Sequence, residues 1–141
     1  MVKITAEMLT AHAKDLTTSP FFQIFVMLVF FDVMTGVTKA IKNKQLNSKI
    51  STAGLIKHVL IISLLFFIGV YARALNQVVF SIVVYSAFIG SYGLSLLENL
   101  EAIGVWFPEW FKEIFKQMRE RKPEGVIKAE EVIVKVEKEK K

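Results

Sequence analysis

Hydrophobic and polar positions divide the chain into three long apolar runs, an aromatic stripe and a charged tail. From Ala74 to Leu97, 24 residues pass without one charged side chain. At about 1.5 Å of helix per residue that run crosses the ~30 Å hydrocarbon core of a bilayer, and it predicts a transmembrane helix over 76–98. An earlier run, Phe21 to Ile41, has 11 charge-free residues, then Asp32, then six more before Lys39. An ionised Asp at a helix centre costs ~2.5–3.5 kcal/mol, which the surrounding Phe, Val, Leu, Ile and Met residues offset at roughly −0.3 to −0.6 each. A span over 20–41 is therefore expected, with Asp32 turned away from lipid. Between these runs, 55–75 predicts another span. Its charge-free centre, Val59 to Ala72, holds only 14 residues, but Lys57 and Arg73 near its ends can snorkel to the headgroups. Asn76 and Gln77 alone separate it from the next span, so the two form a tight helical hairpin.

Outside the spans, Val2, Ala6, Leu9, Ala13 and Leu16 recur at three-to-four spacing in residues 1–19. They predict a weakly amphipathic N-terminal helix, suited to a membrane surface, that Pro20 interrupts. Residues 42–54 form a basic loop. In 105–121, Trp106, Phe107, Trp110, Phe111, Ile114, Phe115 and Met118 share one face while Glu109, Lys112, Glu113, Lys116 and Arg119 fill the other. That pattern predicts an amphipathic interfacial helix opened by Pro108 and stopped by Pro123 and Gly125. The Lys- and Glu-rich remainder, 122–141, reads as a solvated, mobile tail. The expected fold class is thus an all-α integral membrane protein with three transmembrane helices, an interfacial helix and a polar tail.

Composition supports lipid over water: 53% of the 141 residues are hydrophobic, 12 of them Phe. With no cysteine and only two histidines in different segments, disulfides, thiolate metal sites and a zinc site are not expected. Met1 to Ser19 lacks the apolar core and cleavage site of a secretory signal, so the first span is expected to direct insertion. The loop between the first two spans brings Lys39, Lys42, Lys44, Lys49 and Lys57 without an acid, and ten basic residues follow Leu97. Both segments should stay cytoplasmic, which three spans permit, with the N-terminus outside and the C-terminus inside. Glu98 and Glu101 lack the pocket and partners that acid–base chemistry needs. No phosphate loop or nucleophile elbow occurs. Neither an enzyme nor a cofactor or nucleic-acid partner is expected.

Function is then sought on helix faces. Asp32, Thr35, Gly36, Lys39 and Ala40 lie in one arc of the first span. Two readings stand: this face meets water or other subunits, with Asp32 as partner or titratable switch, or Asp32 pairs with Lys39 or Lys57 and fixes packing within one subunit. In the third span Ser86, Gly90 and Gly93 align, with Ser95 beside them, as a close-packing face for a second copy or for the hairpin partner. His58 is either an interfacial residue or a proton relay. Trp106, Phe107, Trp110, Phe111 and Phe115 form a membrane-interface anchor or a docking stripe for a neighbouring subunit.

The string FDVMTGVTKAIKNKQLNSKISTAGLIKH, followed by a hydrophobic span and GLSLLENLEAIGVWFP, resembles the bacteriophage holins of the group that includes clostridial toxin-secretion holins. The positions that carry it are Asp32, Thr35, Gly36, Ala40, Ser48, Gly54, Lys57, Ser95, Glu98, Asn99, Gly104 and Pro108, within about residues 25–110. Tyr92 departs from the pattern, since an acid often stands there, and the tail is longer than usual. The resemblance implies a homo-oligomer in the host cytoplasmic membrane that opens lesions for an endolysin or toxin, with lipid, itself and an antiholin as partners. The rival expectations are a non-lytic small membrane subunit or an antiholin that binds a partner membrane protein. Met8 is a possible second start for the antiholin form.

Overall fold

The computed structural model describes the backbone of residues 4–45 and 48–120 and the side chains of 4–45 and 52–120. The tail after Glu120, for which a mobile solvated segment is expected, lies outside the described residues. Five helices follow in order: α1 (Ala6–Thr17), α2 (Pro20–Lys42), α3 (Ser48–Ala74), α4 (Val78–Ile103) and α5 (Glu109–Glu120). Three of them, α2, α4 and the Thr52–Ala74 part of α3, are long and apolar enough to cross a membrane. The protein is an all-α multi-pass membrane protein, and among the described residues it has no strand.

Local chemistry accounts for the breaks. Thr5 caps α1, its Oγ1 accepting from the Met8 N–H at 3.2 Å. Ser19 and Pro20 turn the chain into α2, Pro20 occupying the first turn, where its missing N–H is harmless. The α3–α4 turn is closed by the Gln77 N–H on the Ala72 carbonyl at 2.6 Å, with Asn76 at φ 57°. Gly104 ends α4 in the left-handed conformation, φ 106°. The helix therefore runs five residues beyond the expected boundary at 98, carrying Asn99 and Glu101 in its last turns.

α4 is the centre of the bundle. Half of its apolar stretch is buried, against 22% for α2 and 17% for α3. Contacts pair Phe25 with Tyr85 and Gly36 with Asn99, so α2 and α4 run parallel. His58 meets Tyr92 while Leu65 meets Tyr85, so α3 is antiparallel to both. Phe25 is fully buried among the rings of Tyr85, Phe88 and Tyr92, at centroid distances of 5.8–6.2 Å. The Tyr85 hydroxyl donates to the Leu65 carbonyl at 2.6 Å, which removes its polar cost. α1 packs on α3: Leu16 is fully buried against Gly69, where a Cβ would stand 2.8 Å from the leucine Cδ2 and 2.6 Å from the Tyr85 hydroxyl. By contrast Met27, Phe30 and Met34 on α2 and Ile56, Leu60, Leu64 and Phe67 on α3 are at least half exposed, the distribution expected where the solvent is lipid.

Candidate functional site

The polar arc of α2 faces α4, and it is built as a chain of hydrogen bonds. Asp32, only 7% exposed, accepts on Oδ1 from the Asn99 amide at 3.1 Å. The Asn99 carbonyl oxygen in turn accepts from Lys39 Nζ at 3.3 Å, and Lys42 Nζ donates to the Ala102 carbonyl at 3.0 Å. Gly36 makes room for this seam, its missing Cβ position lying 3.6 Å from the Asn99 amide nitrogen. Thr35 spends its hydroxyl on its own helix, on the Phe31 and Asp32 carbonyls at 2.8 and 3.1 Å, and Ala40 is half-buried. Asp32 thus pairs directly with neither Lys39 nor Lys57 but reaches Lys39 through Asn99. Its partner sits two residues past the charge-free stretch of α4, so Asp32 lies toward the basic end of the bundle.

On the other side of Asp32 a cavity of about 410 Å³ opens between α2, α3 and α4, lined by Asp32, Lys57, His58, Ser91, Tyr92 and Ser95 together with Ile61 and Phe88. His58 Nδ1 and the Tyr92 hydroxyl lie 3.0 Å apart across it. Sequence reasoning treats Tyr92 as a departure and His58 as isolated; the fold makes them a pair because α3 runs back along α4. No linear signal joins residues 34 positions apart.

The small-residue face of α4 is covered by α5. Gly93 receives the Phe115 ring, whose Cγ would lie 2.9 Å from a Cβ, and Gly90 receives the backbone of Phe115 and Arg119, the Phe115 carbonyl oxygen 2.6 Å from the same construction point. Any side chain at either glycine would push α5 away. Ser86, one turn earlier, is also buried. At the open end of this contact Lys112 Nζ bridges Glu101 at 2.6 Å and Glu109 at 2.9 Å. Hydrogen bonds that Lys112 donates to the two carboxylates, Glu101 foremost, raise the lysine above its ordinary value, and the same donation holds Glu109 below its own. Of the aromatic stripe, Phe107 stacks on Phe111 at 5.9 Å and Phe111 meets Phe115 edge to face at 5.6 Å, while Trp106 and Trp110 stay 79% and 66% exposed. Among the described residues no group of three His, Asp or Glu could hold a metal ion.

Residues 16–120 match the model of the bacteriophage holin family. The chain belongs to that family. Two relatives of this holin-family chain are proteins of Clostridium perfringens whose own roles are uncharacterised. One, a 14.9 kDa protein from the nagH 3′ region, is 34% identical over 99 residues, covering 69% of this chain and 75% of the relative. The other, from strain 13, is 33% identical over 98 residues, covering 68% and 73%. No solved structure matches the chain. Several of the positions that carry the resemblance gather at the basic end of the α2–α4 seam. Asp32, Gly36 and Asn99 meet there. Gly104 and Pro108 shape the turn into α5, and Ser95 and Lys57 line the cavity. Gly54 has no side-chain neighbour within 4 Å, Glu98 is exposed, and the side chain of Ser48, at the start of α3, lies outside the described residues.

Proposed function

We propose that this chain is a lytic holin: it accumulates in the bacterial cytoplasmic membrane, N-terminus outside and C-terminus inside, self-associates, and opens lesions that release an endolysin or a secreted toxin and end in host lysis. Its membership of the holin family carries the reading. The lysines around the α2–α3 connection and after Leu97 support the orientation, since basic connections stay cytoplasmic.

The packing of α5 suggests how association is held back. A second copy can use the Gly90–Gly93 face only after α5 has left it, because that helix fills the groove. The docked arrangement carries its own cost. Gly90 lies eight residues inward of Glu98, about 12 Å along the helix, so Arg119 and Glu120 are drawn below the headgroups. Release of α5 to the interface would relieve those charges and expose the glycines. Subunit contacts through Asp32, Thr35, Gly36, Lys39 and Ala40 would require α2 to part from α4 as well, a later rearrangement.

The test is induction of this chain alone in bacteria, following membrane potential and escape of a cytoplasmic muralytic enzyme. Abrupt depolarisation with enzyme release is expected; an intact potential at confirmed membrane expression would favour an antiholin or a non-lytic subunit. Because the sequence has no cysteine, Glu101→Cys and Lys112→Cys can be bridged by a short bismaleimide. The bridged protein should depolarise late or not at all, while the same double variant left unbridged depolarises no later than the unaltered chain.

A further inference from the structure

We propose that the cavity between α2, α3 and α4 is a binding site for a zwitterionic phospholipid headgroup, of the ethanolamine phosphate type. The inference needs the chain to lie in a bilayer but not the lytic reading. Asp32 is buried to 7% exposure, yet only one of its carboxylate oxygens is engaged, by Asn99; the residue lines the cavity and makes no ion pair. Lys57, exposed on the rim of the same cavity, has no hydrogen-bonding or ionic partner among the described residues. A carboxylate and an ammonium thus face one space of about 410 Å³, and because no side-chain oxygen among the described residues is both buried and unpaired, the second Asp32 oxygen is open to that space. A ligand with its own ammonium for Asp32 and its own phosphate for Lys57 satisfies both. A purely anionic headgroup would meet Asp32 unfavourably, and a simple cation would meet Lys57.

Other groups agree with that polarity. In the tautomer whose Nδ1 accepts from the Tyr92 hydroxyl, His58 carries its proton on Nε2 as a second donor for phosphate, and Ser95 contributes a hydroxyl. The location suits a lipid more than a soluble zwitterion. Ile56 and Leu60, which flank Lys57 on α3, are 55% and 63% exposed and expected in acyl chains. The engaged oxygen of Asp32 meets Asn99 just beyond the charge-free stretch of α4, on the side where headgroups are expected.

The experiment uses the full-length chain purified in mild detergent, offered equal amounts of phosphatidylethanolamine and phosphatidylglycerol, with retained lipid counted by native mass spectrometry. The unaltered protein should retain the ethanolamine lipid preferentially. Asp32→Asn should lower that preference about tenfold, the loss of one charge-assisted hydrogen bond, and Lys57→Gln should lower retention of both lipids. Lys57 is exposed, so its variant tests the site without disturbing the core, and helicity is checked for both. Equal retention of the two lipids by the unaltered chain, an ethanolamine preference that survives Asp32→Asn, or retention indifferent to Lys57→Gln would overturn the assignment. Free O-phosphoethanolamine that displaces the lipid as readily as phosphatidylethanolamine itself would overturn the lipid as occupant in favour of a soluble zwitterion. Lysis enters none of these readouts, so the site and the lytic function fail separately.

Discussion

Asp32 shows what a single residue decides and how far a sequence discloses it. An aspartate inside an apolar run must find a partner, and that much is legible from the run alone. The partner is not, because Asn99 is 67 residues away and becomes a neighbour only when α2 and α4 run parallel. Nor is its depth: counting from the ends of one helix places Asp32 centrally, whereas the bond to Asn99 draws it toward the basic end. Replacing Asn99 by Leu should leave Asp32 without a donor and cost about 1–3 kcal/mol, seen as a lowered midpoint in denaturant titration of the micellar protein. Tyr85→Phe removes only the hydroxyl that bonds the Leu65 carbonyl and should cost about 0.5–1.5 kcal/mol in the same titration. Gly69→Leu should exceed it, at about 1–3 kcal/mol, since overpacking there displaces both Leu16 and Tyr85. An order reversed between the last two would mean that α1 does not hold its place on α3.

At the scale of elements, α5 is the instructive case. Its alternation of aromatic and charged residues identifies an amphipathic helix, but an apolar face that suits the membrane interface suits a glycine groove equally well. Which it takes depends on Gly90 and Gly93 presenting bare backbone to Phe115 and Arg119. The three spans were legible because lipid demands length and apolarity that nothing else in a chain imitates; the docking of a short helix leaves no such mark. Lys112, held by Glu101 and Glu109, makes this docking pH-sensitive with a definite sign. Glu109 is lowered below 4.5, so its contribution is complete above that pH and is lost as pH falls through the lowered value. Lys112 is raised above 10.5, so its contribution is complete below that pH and is lost as pH rises through the raised value. Spin labels at Ser91→Cys and Gln117→Cys, both exposed positions, should report one narrow distance distribution at neutral pH. Broadening is expected above the lysine range, where Lys112 loses the bridge to Glu101 that crosses from α5 to α4, and raised salt should widen that zone, whereas the Glu109 pair lies within α5. A distribution unchanged across that limit would show that the glycine contacts alone hold α5.

For the whole molecule, the question is which surface a second copy would find. α3 is the most exposed span, but its outer face is built of Leu, Ile and Phe, which gain little from meeting another helix in place of lipid. The face of α4 that carries its two glycines, Gly90 and Gly93, is the one under α5, so association and the docking of α5 compete for the same glycines. That competition has a signature that separates it from simple damage to packing. In the chain truncated after Gly104 the groove is open, and membrane cross-linking should give more oligomer than the full-length chain. The expected ratio is of order three- to thirty-fold, the equivalent of ~0.6–2 kcal/mol. Introducing Gly93→Leu into the truncated chain should abolish that gain, because the groove itself is filled. In the full-length chain the same substitution should free α5 yet produce no added oligomer. Gly54→Leu, at a glycine with open space around it, should leave every form unchanged. If truncation fails to raise the oligomer while Gly93→Leu still dislodges α5, the subunits meet through another face, and the covering of α4 serves the fold of the single chain alone.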